Sequence, residues 1–237
     1  GAGIVALSFG ALALDPSDPV VVYTGTGVSG LYKSTDAAGS WQATSSGMTA
    51  SRNVQAIAVD PFTPTTVYAG TDAGVYKSVD AGGHWALASN GLFILNVACL
   101  AIDPVNPQTV YAGTSNGVFK STDGAATWSG ASNGLTGQIY DLAIDAQHPA
   151  TLYAASVGGV GAPLYKTTDG GANWVVRTNG LLPASHVYAL AIGGDDPQKL
   201  YAATNIGVFK TSNGASSWSM TNATSGITGA IAVDPLD

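Results

Sequence analysis

Residues 120–128 read KSTDGAATW, and the stretch returns as KSTDAAGSW (33–41), KSVDAGGHW (77–85), KTTDGGANW (166–174) and KTSNGASSW (210–218). Every copy runs from a lysine through hydroxyl residues, an Asp or in the last copy an Asn, and small residues to a tryptophan. Trp41, Trp85, Trp128, Trp174 and Trp218 are all the tryptophans of the chain, spaced by 44, 43, 46 and 44 residues. A fixed period of this size marks an array of supersecondary units.

The rest of the chain keeps the same frame. Tyr23, Tyr68, Tyr111, Tyr153 and Tyr201 sit in VVYTGT, TVYAGT, TVYAGT, TLYAAS and KLYAAT, and Tyr32, Tyr76, Phe119, Tyr165 and Phe209 each directly precede a lysine. Each unit opens on a short apolar stretch that ends in a turn (ALALDP, AIAVDP, LAIDP, LAIDA, LAIGG), and IAVDP at 231–235 is a sixth copy. Each unit therefore reads as four short strands, A to D, rich in Val, Ile, Tyr and Thr and separated by Gly, Pro, Asp and Asn. No helical periodicity competes. Four-stranded units at this period predict an all-β fold, a β-propeller of four-stranded antiparallel blades, with five repeats of about 44 residues plus one extra inner strand at 229–234. A solenoid is the structural alternative. The apolar A strands fit the innermost position, buried on both faces.

The five copies resemble the Asp-box or BNR repeat, roughly Ser/Thr-x-Asp-x-Gly-x-x-Trp, over nearly the whole chain. That resemblance implies a propeller. It leaves function open, because such boxes occur in sialidases, xyloglucanase-type glycoside hydrolases, sortilin-like receptors and photosystem assembly factors; in repeat style this chain is most similar to the xyloglucanase type. Residues 1–237 are read as a single propeller domain. The surplus strand either completes the first blade of a five-bladed ring or marks the chain as a segment of a larger ring of about six to eight blades. The segment reading is preferred, since Asp-box propellers commonly have more blades. The opening GAGIVALSFGALA is read as strand rather than as a signal segment, because ALALDP recurs; the absence of a starting Met suggests a processed or excised chain.

Only 10% of the residues are charged, well below the roughly 25% of ordinary domains, while 46% are hydrophobic. All fifteen acids are aspartate, and the net charge of −7 argues against nucleic acid as a partner. No apolar run is long enough to span a membrane. Cys99, in NVACLAID, reads as a small buried hydrophobe. No pair of His or Cys has metal-ligand spacing, so neither metal nor cofactor is expected. Low charge with abundant Ser, Thr and Gly suits an exported or cell-surface bacterial protein.

The box acids Asp36, Asp80, Asp123 and Asp169 are read as turn formers that accept hydrogen bonds from N–H groups two or three residues on, with glycines supplying positive φ and Trp41, Trp85, Trp128, Trp174 and Trp218 covering the turns. The fifth unit supports this, because Asn213 keeps the turn hydrogen bond but makes a poor acid catalyst. Lys33, Lys77, Lys120, Lys166 and Lys210 are expected to pair locally with the box acid. Asp15, Asp60, Asp103, Asp145 and Asp234 are assigned to the A–B turns.

In an up-and-down blade the A–B and C–D turns share one face, and the irregular B–C and D–A loops share the other. Loops on a rigid scaffold carry binding. The candidates there are Arg52, Asn53, Asp72, Phe93, Asn96, Asn116, Gln138, Tyr140, His186, Tyr188 and Asn205, together with the long loop SVGGVGAP at 156–163, read as a lid or pocket wall. His84 and His148 are read as surface residues. With two arginines and no glutamate, the chain lacks what a sialidase requires. A xyloglucanase-type hydrolase needs two carboxyl groups about 5–9.5 Å apart. Outside the turns, only Asp72 and Asp141 qualify, and Asp141 is conspicuous at the start of an inner strand where other units carry Ala56, Cys99 and Ala189. Those enzymes place their pair across two propellers. The preferred reading is a non-catalytic propeller that presents its irregular face to a protein or polysaccharide partner. A glycoside hydrolase is the first alternative, and a structural surface component self-associating through its terminal strands is the second.

Overall fold

The structure is a computed structural model that describes residues 9–157, 163–182, 185–224 and 229–234. Among these there is no helix, and twenty strands form five four-stranded antiparallel sheets with their strands in chain order. The first sheet holds β1 (Phe9–Leu14), β2 (Val22–Thr26), β3 (Leu31–Ser34) and β4 (Gln42–Ala43). The second holds β5 (Val54–Val59), β6 (Val67–Thr71), β7 (Gly74–Ser78) and β8 (Ala86–Leu87). The third holds β9 (Val97–Ile102), β10 (Val110–Thr114), β11 (Gly117–Ser121) and β12 (Ser129–Gly130). The fourth holds β13 (Gln138–Ile144), β14 (Leu152–Val157), β15 (Leu164–Thr167) and β16 (Val175–Val176). The fifth holds β17 (Val187–Ile192), β18 (Leu200–Thr204), β19 (Gly207–Thr211) and β20 (Ser219–Thr224). This is the β-propeller architecture that the repeat period predicts.

The chain divides into two compact units, residues 1–114 with 120–129, and residues 115–119 with 130–237. In the first, β1 packs on β5 and β5 on β9; in the second, β13 packs on β17. Residues 229–234, the sixth copy of the A motif, are not in a strand. A strand exists through its ladder, and no second strand follows them among the described residues.

Burial is greatest in the second strands rather than the first. Every residue of β2, β6 and β10 is buried, whereas β5 and β9 are only half-buried along much of their length. The order of the strands explains this departure from the expectation of a doubly buried A strand. The A strand is an edge of its sheet, while the B strand has a ladder on either side and side chains packed over both faces. Cys99 is buried, as its setting suggests.

Four of the five tryptophans do not stay on their own turns but close onto the preceding repeat, where a large ring buries more area. Trp85 joins Tyr23, Leu31, Met48 and Val54 in one cluster, its indole N–H donates to the Thr44 carbonyl at 2.6 Å, and its backbone N–H donates to Ser46 at 2.8 Å. Trp128 repeats this on Ala88 and Asn90, Trp174 on Ala131 and Asn133, and Trp218 on Arg177 and Asn179. Trp41 is half-buried, and among the described residues its indole makes no hydrogen bond.

The lysines run the other way, onto the following repeat, which corrects the expected local pairing with the box acid. Lys33 donates to the Ala81 carbonyl (3.0 Å), Lys77 to Gly124 (2.8 Å) and Lys166 to Gly214 (3.1 Å). A charged nitrogen at a partly buried junction needs an acceptor, and the turn carbonyl supplies one. Each ammonium also lies over a tyrosine ring of its own repeat, 5.1–5.4 Å from the centroid of Tyr23, Tyr68, Tyr111 or Tyr153. Burial, helped by the nearby turn aspartates, pushes those four phenols up to about 12.

Candidate functional site

Each sheet has two ends, and the sequence builds them differently. At the A–B end, Asp60 accepts the N–H groups of Phe62 and Thr63, and Asp15, Asp103 and Asp145 repeat the arrangement. At the C–D end of the third sheet, Asp123 Oδ1 accepts the Thr127 N–H (2.9 Å) and the Ser121 hydroxyl (2.7 Å), while Oδ2 accepts the Thr127 hydroxyl (2.5 Å). Asp36, Asp80 and Asp169 bind the same backbone position, and Asn213 accepts the Ser217 N–H at 3.0 Å. The reach is therefore four residues rather than two or three. Two consecutive left-handed residues after each acid make that reach possible, and five of those ten positions are alanines: Ala37, Ala38, Ala81, Ala125 and Ala215. Glycine is thus not the sole supplier of positive φ. His84 and His148 are exposed, as expected, and the His148 ring lies 3.2 Å from Asp145.

These turns make the box acids acid-sensitive supports. Hydrogen bonds, first from the hydroxyl of Ser40, Thr127 or Thr167, hold Asp36, Asp123 and Asp169 at about 2. A carboxylate depressed in the folded state contributes stability above its usual value near 3.8, and the contribution is lost as pH falls towards 2. Asp123→Asn is accordingly expected to flatten the decline in melting temperature between about pH 4 and 2, because asparagine does not titrate. Melting curves recorded across that range test this, and parallel declines in parent and variant would refute it.

At the opposite ends, the structure joins some of the predicted residues and leaves others apart. In the first unit, Asp72 accepts the Ser51 hydroxyl and the Asn53 side-chain amide (3.4 Å). Asn96 accepts the Gln55 amide at 2.9 Å. Arg52 and Phe93 are exposed, Phe93 to 76%. In the second unit, Tyr140 and Tyr188 meet edge-to-face with centroids 6.1 Å apart, and the His186 ring lies nearly parallel to Tyr188 at 6.5 Å. The His186 N–H donates to Asn205 Oδ1 at 2.8 Å, and the Asn205 N–H donates back to the His186 carbonyl. His186 Nδ1 is buried without a hydrogen-bond partner among the described residues. Gln138 opens β13 opposite Val157, and Asn116 lies in the turn between β10 and β11. Most of the loop at 156–163 lies outside the described residues. Ser51 and Gln55 were not singled out from the sequence. Their only signal was proximity to Asn53, which does not reveal partners 21 and 41 residues away.

Asp141 sits within β13 rather than at its start, just after an irregularity in the ladder to β14. Its Oδ1 accepts the Leu142 N–H (2.9 Å) and its Oδ2 the Leu190 N–H of β17 (2.7 Å). Burial raises its pKa above the usual range, opposed by those two hydrogen bonds. The side chain is a bracket between two sheets of one unit. Among the described residues, no three His, Cys, Asp or Glu side chains gather into a metal-sized group, and no helix is long and apolar enough to cross a membrane.

No family model and no curated protein sequence matches the chain. Among solved structures it is similar to an ancestral GH74 enzyme, with 24% identity and a TM-score of 0.80 over 98% of this chain and 33% of that one. It is similar to the GH74 enzyme of Niastella koreensis, with 26% identity and a TM-score of 0.80 over 97% and 43%. It also matches the extracellular domain of a B. thetaiotaomicron protein described as a hybrid two-component system, with 16% identity and a TM-score of 0.74 over 95% and 29%. The chain spans less than half the length of these proteins. The likenesses, with the five sheets, show a β-propeller.

Proposed function

We propose that the chain is an extracellular, non-catalytic binding propeller whose irregular loop ends receive a protein or glycan partner, with a glycan the better fit. The observation that carries this is the aromatic group Tyr140, Tyr188 and His186. Two perpendicular rings form a corner, and a third ring lies nearly parallel to one of them, so a sugar or flat side chain gains apolar contact at small entropic cost. Tyr140 is 37% exposed, and Tyr188 and His186 are half-exposed, so the rings remain reachable. The hydrolase reading is less well supported, because both candidate acids already serve backbone or neighbouring side chains: Asp72 serves Ser51 and Asn53, and Asp141 serves Leu142 and Leu190. The likeness to GH74 enzymes and to an extracellular domain supports a polysaccharide ligand and an exported location.

Titration calorimetry against a panel of soluble β-glucans tests the proposal. Tyr188→Ala and Tyr140→Ala are each expected to weaken binding about tenfold or more, the loss typical of an aromatic anchor. Phe62→Ala, a change at a still more exposed aromatic of the A–B end, is expected to leave affinity unchanged. Equal affinity in all three variants would remove the aromatic site. Release of reducing sugar that disappears in Asp141→Asn would replace binding with hydrolysis.

A further inference from the structure

The first, second and fourth repeats end in the same junction. Tyr23, Tyr68, Tyr111 and Tyr153 are at most 1% exposed, each under a lysine, and in the junctions of Lys33, Lys77 and Lys166 that lysine binds the carbonyl of the residue following the next box acid. The next repeat's tryptophan answers with its indole N–H on the strand-D side. In the first junction, Ile57 and Val59 of the next A strand complete the packing around Tyr23.

The fifth repeat carries the same residues with the junction incomplete. Tyr201 is half-exposed and Lys210 exposed, and among the described residues neither side chain has a hydrogen bond, ion pair or ring contact. The sixth copy of the A motif is nevertheless present. Ile231, Ala232, Val233 and Asp234 wall a cavity of about 370 Å³ whose other residues are Gly193, Lys199 and Tyr201. Ile231 and Val233 hold the motif positions of Ile57 and Val59. The segment thus stands beside Tyr201 as the next A strand does beside Tyr23, while no box turn covers Lys210.

We infer that the Tyr201–Lys210 face is a docking surface for one further Asp-box repeat, with residues 229–234 as its first strand and its turn supplying the carbonyl and tryptophan that the other junctions contain. This is a side-chain junction, distinct from exchange of terminal strands, and it is independent of the aromatic site. The occupant is committed by the junctions of Lys33, Lys77 and Lys166, each of which is covered by the following repeat of the same polypeptide.

The experiment extends the chain from within. Asp237 holds the motif position of Thr63 and of Asn106, so a copy of residues 64–91, or in a second variant of residues 107–134, is appended after Asp237 to complete a sixth repeat. Both extensions are expected to raise the melting temperature by several degrees and to reduce acylation of Lys210, read by peptide mass spectrometry, several-fold. Lys210→Ala is expected to cancel much of the thermal gain in the extended chains and to be silent in the parent. Unchanged Lys210 reactivity in both extensions would overturn the inference. So would concentration-dependent self-association of the parent that is lost in Lys210→Ala, which would assign the face to a second copy.

Discussion

Trp85→Ala is expected to destabilise the protein by about 3–5 kcal/mol, the loss typical of a fully buried large aromatic. The ring is 1% exposed in a cluster with residues of the preceding repeat, and its removal also leaves the Thr44 carbonyl without its donor. For a chain of this size each kcal/mol is worth about 2–4 °C in melting temperature. Trp41 provides the matched control within the same motif. It is half-buried and its indole has no acceptor among the described residues, so Trp41→Ala is expected to cost only about 1 kcal/mol, an ordinary substitution. Denaturant unfolding of the two variants side by side measures the difference. Equal losses would mean that the tryptophan acts within its own turn and not at the junction.

Gly91→Ala is expected to cost about 3 kcal/mol although it adds a single methyl, because two penalties coincide. The backbone at Gly91 has φ +84°, a region that side chains with a Cβ enter only under strain, and a Cβ there would run into the carbonyl oxygen of Trp128 in the next repeat. Gly47, Gly134 and Gly180 occupy the same position against Trp85, Trp174 and Trp218. A neighbour relaxes cheaply when it is the tip of a side chain, but here it is backbone already hydrogen-bonded into the junction. Thermal unfolding of Gly91→Ala should therefore show a larger loss than Gly130→Ala, where a Cβ would meet nothing within 4 Å. Comparable losses would disprove the steric account.

The spacing of five tryptophans and the Asp-Pro turns was enough to read the strands, their order and the turn-forming aspartates. The destination of the side chains was not legible, for a reason peculiar to repeats. A residue of one unit and its counterpart in the next have the same identity, so Lys77 facing its own Asp80 and Lys77 facing Gly124 leave the same pattern in the sequence. The glycine after each tryptophan did leave a signal, in SSGM, SNGL, SNGL and TNGL, but composition alone does not separate a loop glycine from one required by a neighbouring carbonyl. Of the candidate site, the loop positions of Asn53, Asp72 and Asn116 were legible, but Gln138, Tyr140 and Tyr188 lie within β13 and β17. The grouping of Tyr140, Tyr188 and His186 was not legible, because nearly fifty residues separate Tyr140 from its partners. Asp141 looked like a free acid for the same reason: the N–H that occupies it belongs to Leu190, 49 residues away.

A chain that is 46% hydrophobic and only 10% charged, with strands and no helix among its described residues, has every reason to aggregate through its sheet edges. The length of the fourth strands limits that hazard. β4, β8, β12 and β16 are two residues long, with both residues exposed, and so short an edge offers an incoming strand almost nothing to pair with. Protection against misassembly is thus achieved by brevity where other proteins use charge, which permits the scarcity of lysine and the complete absence of glutamate. β20, at six residues, is the one edge of this kind long enough to template a foreign strand.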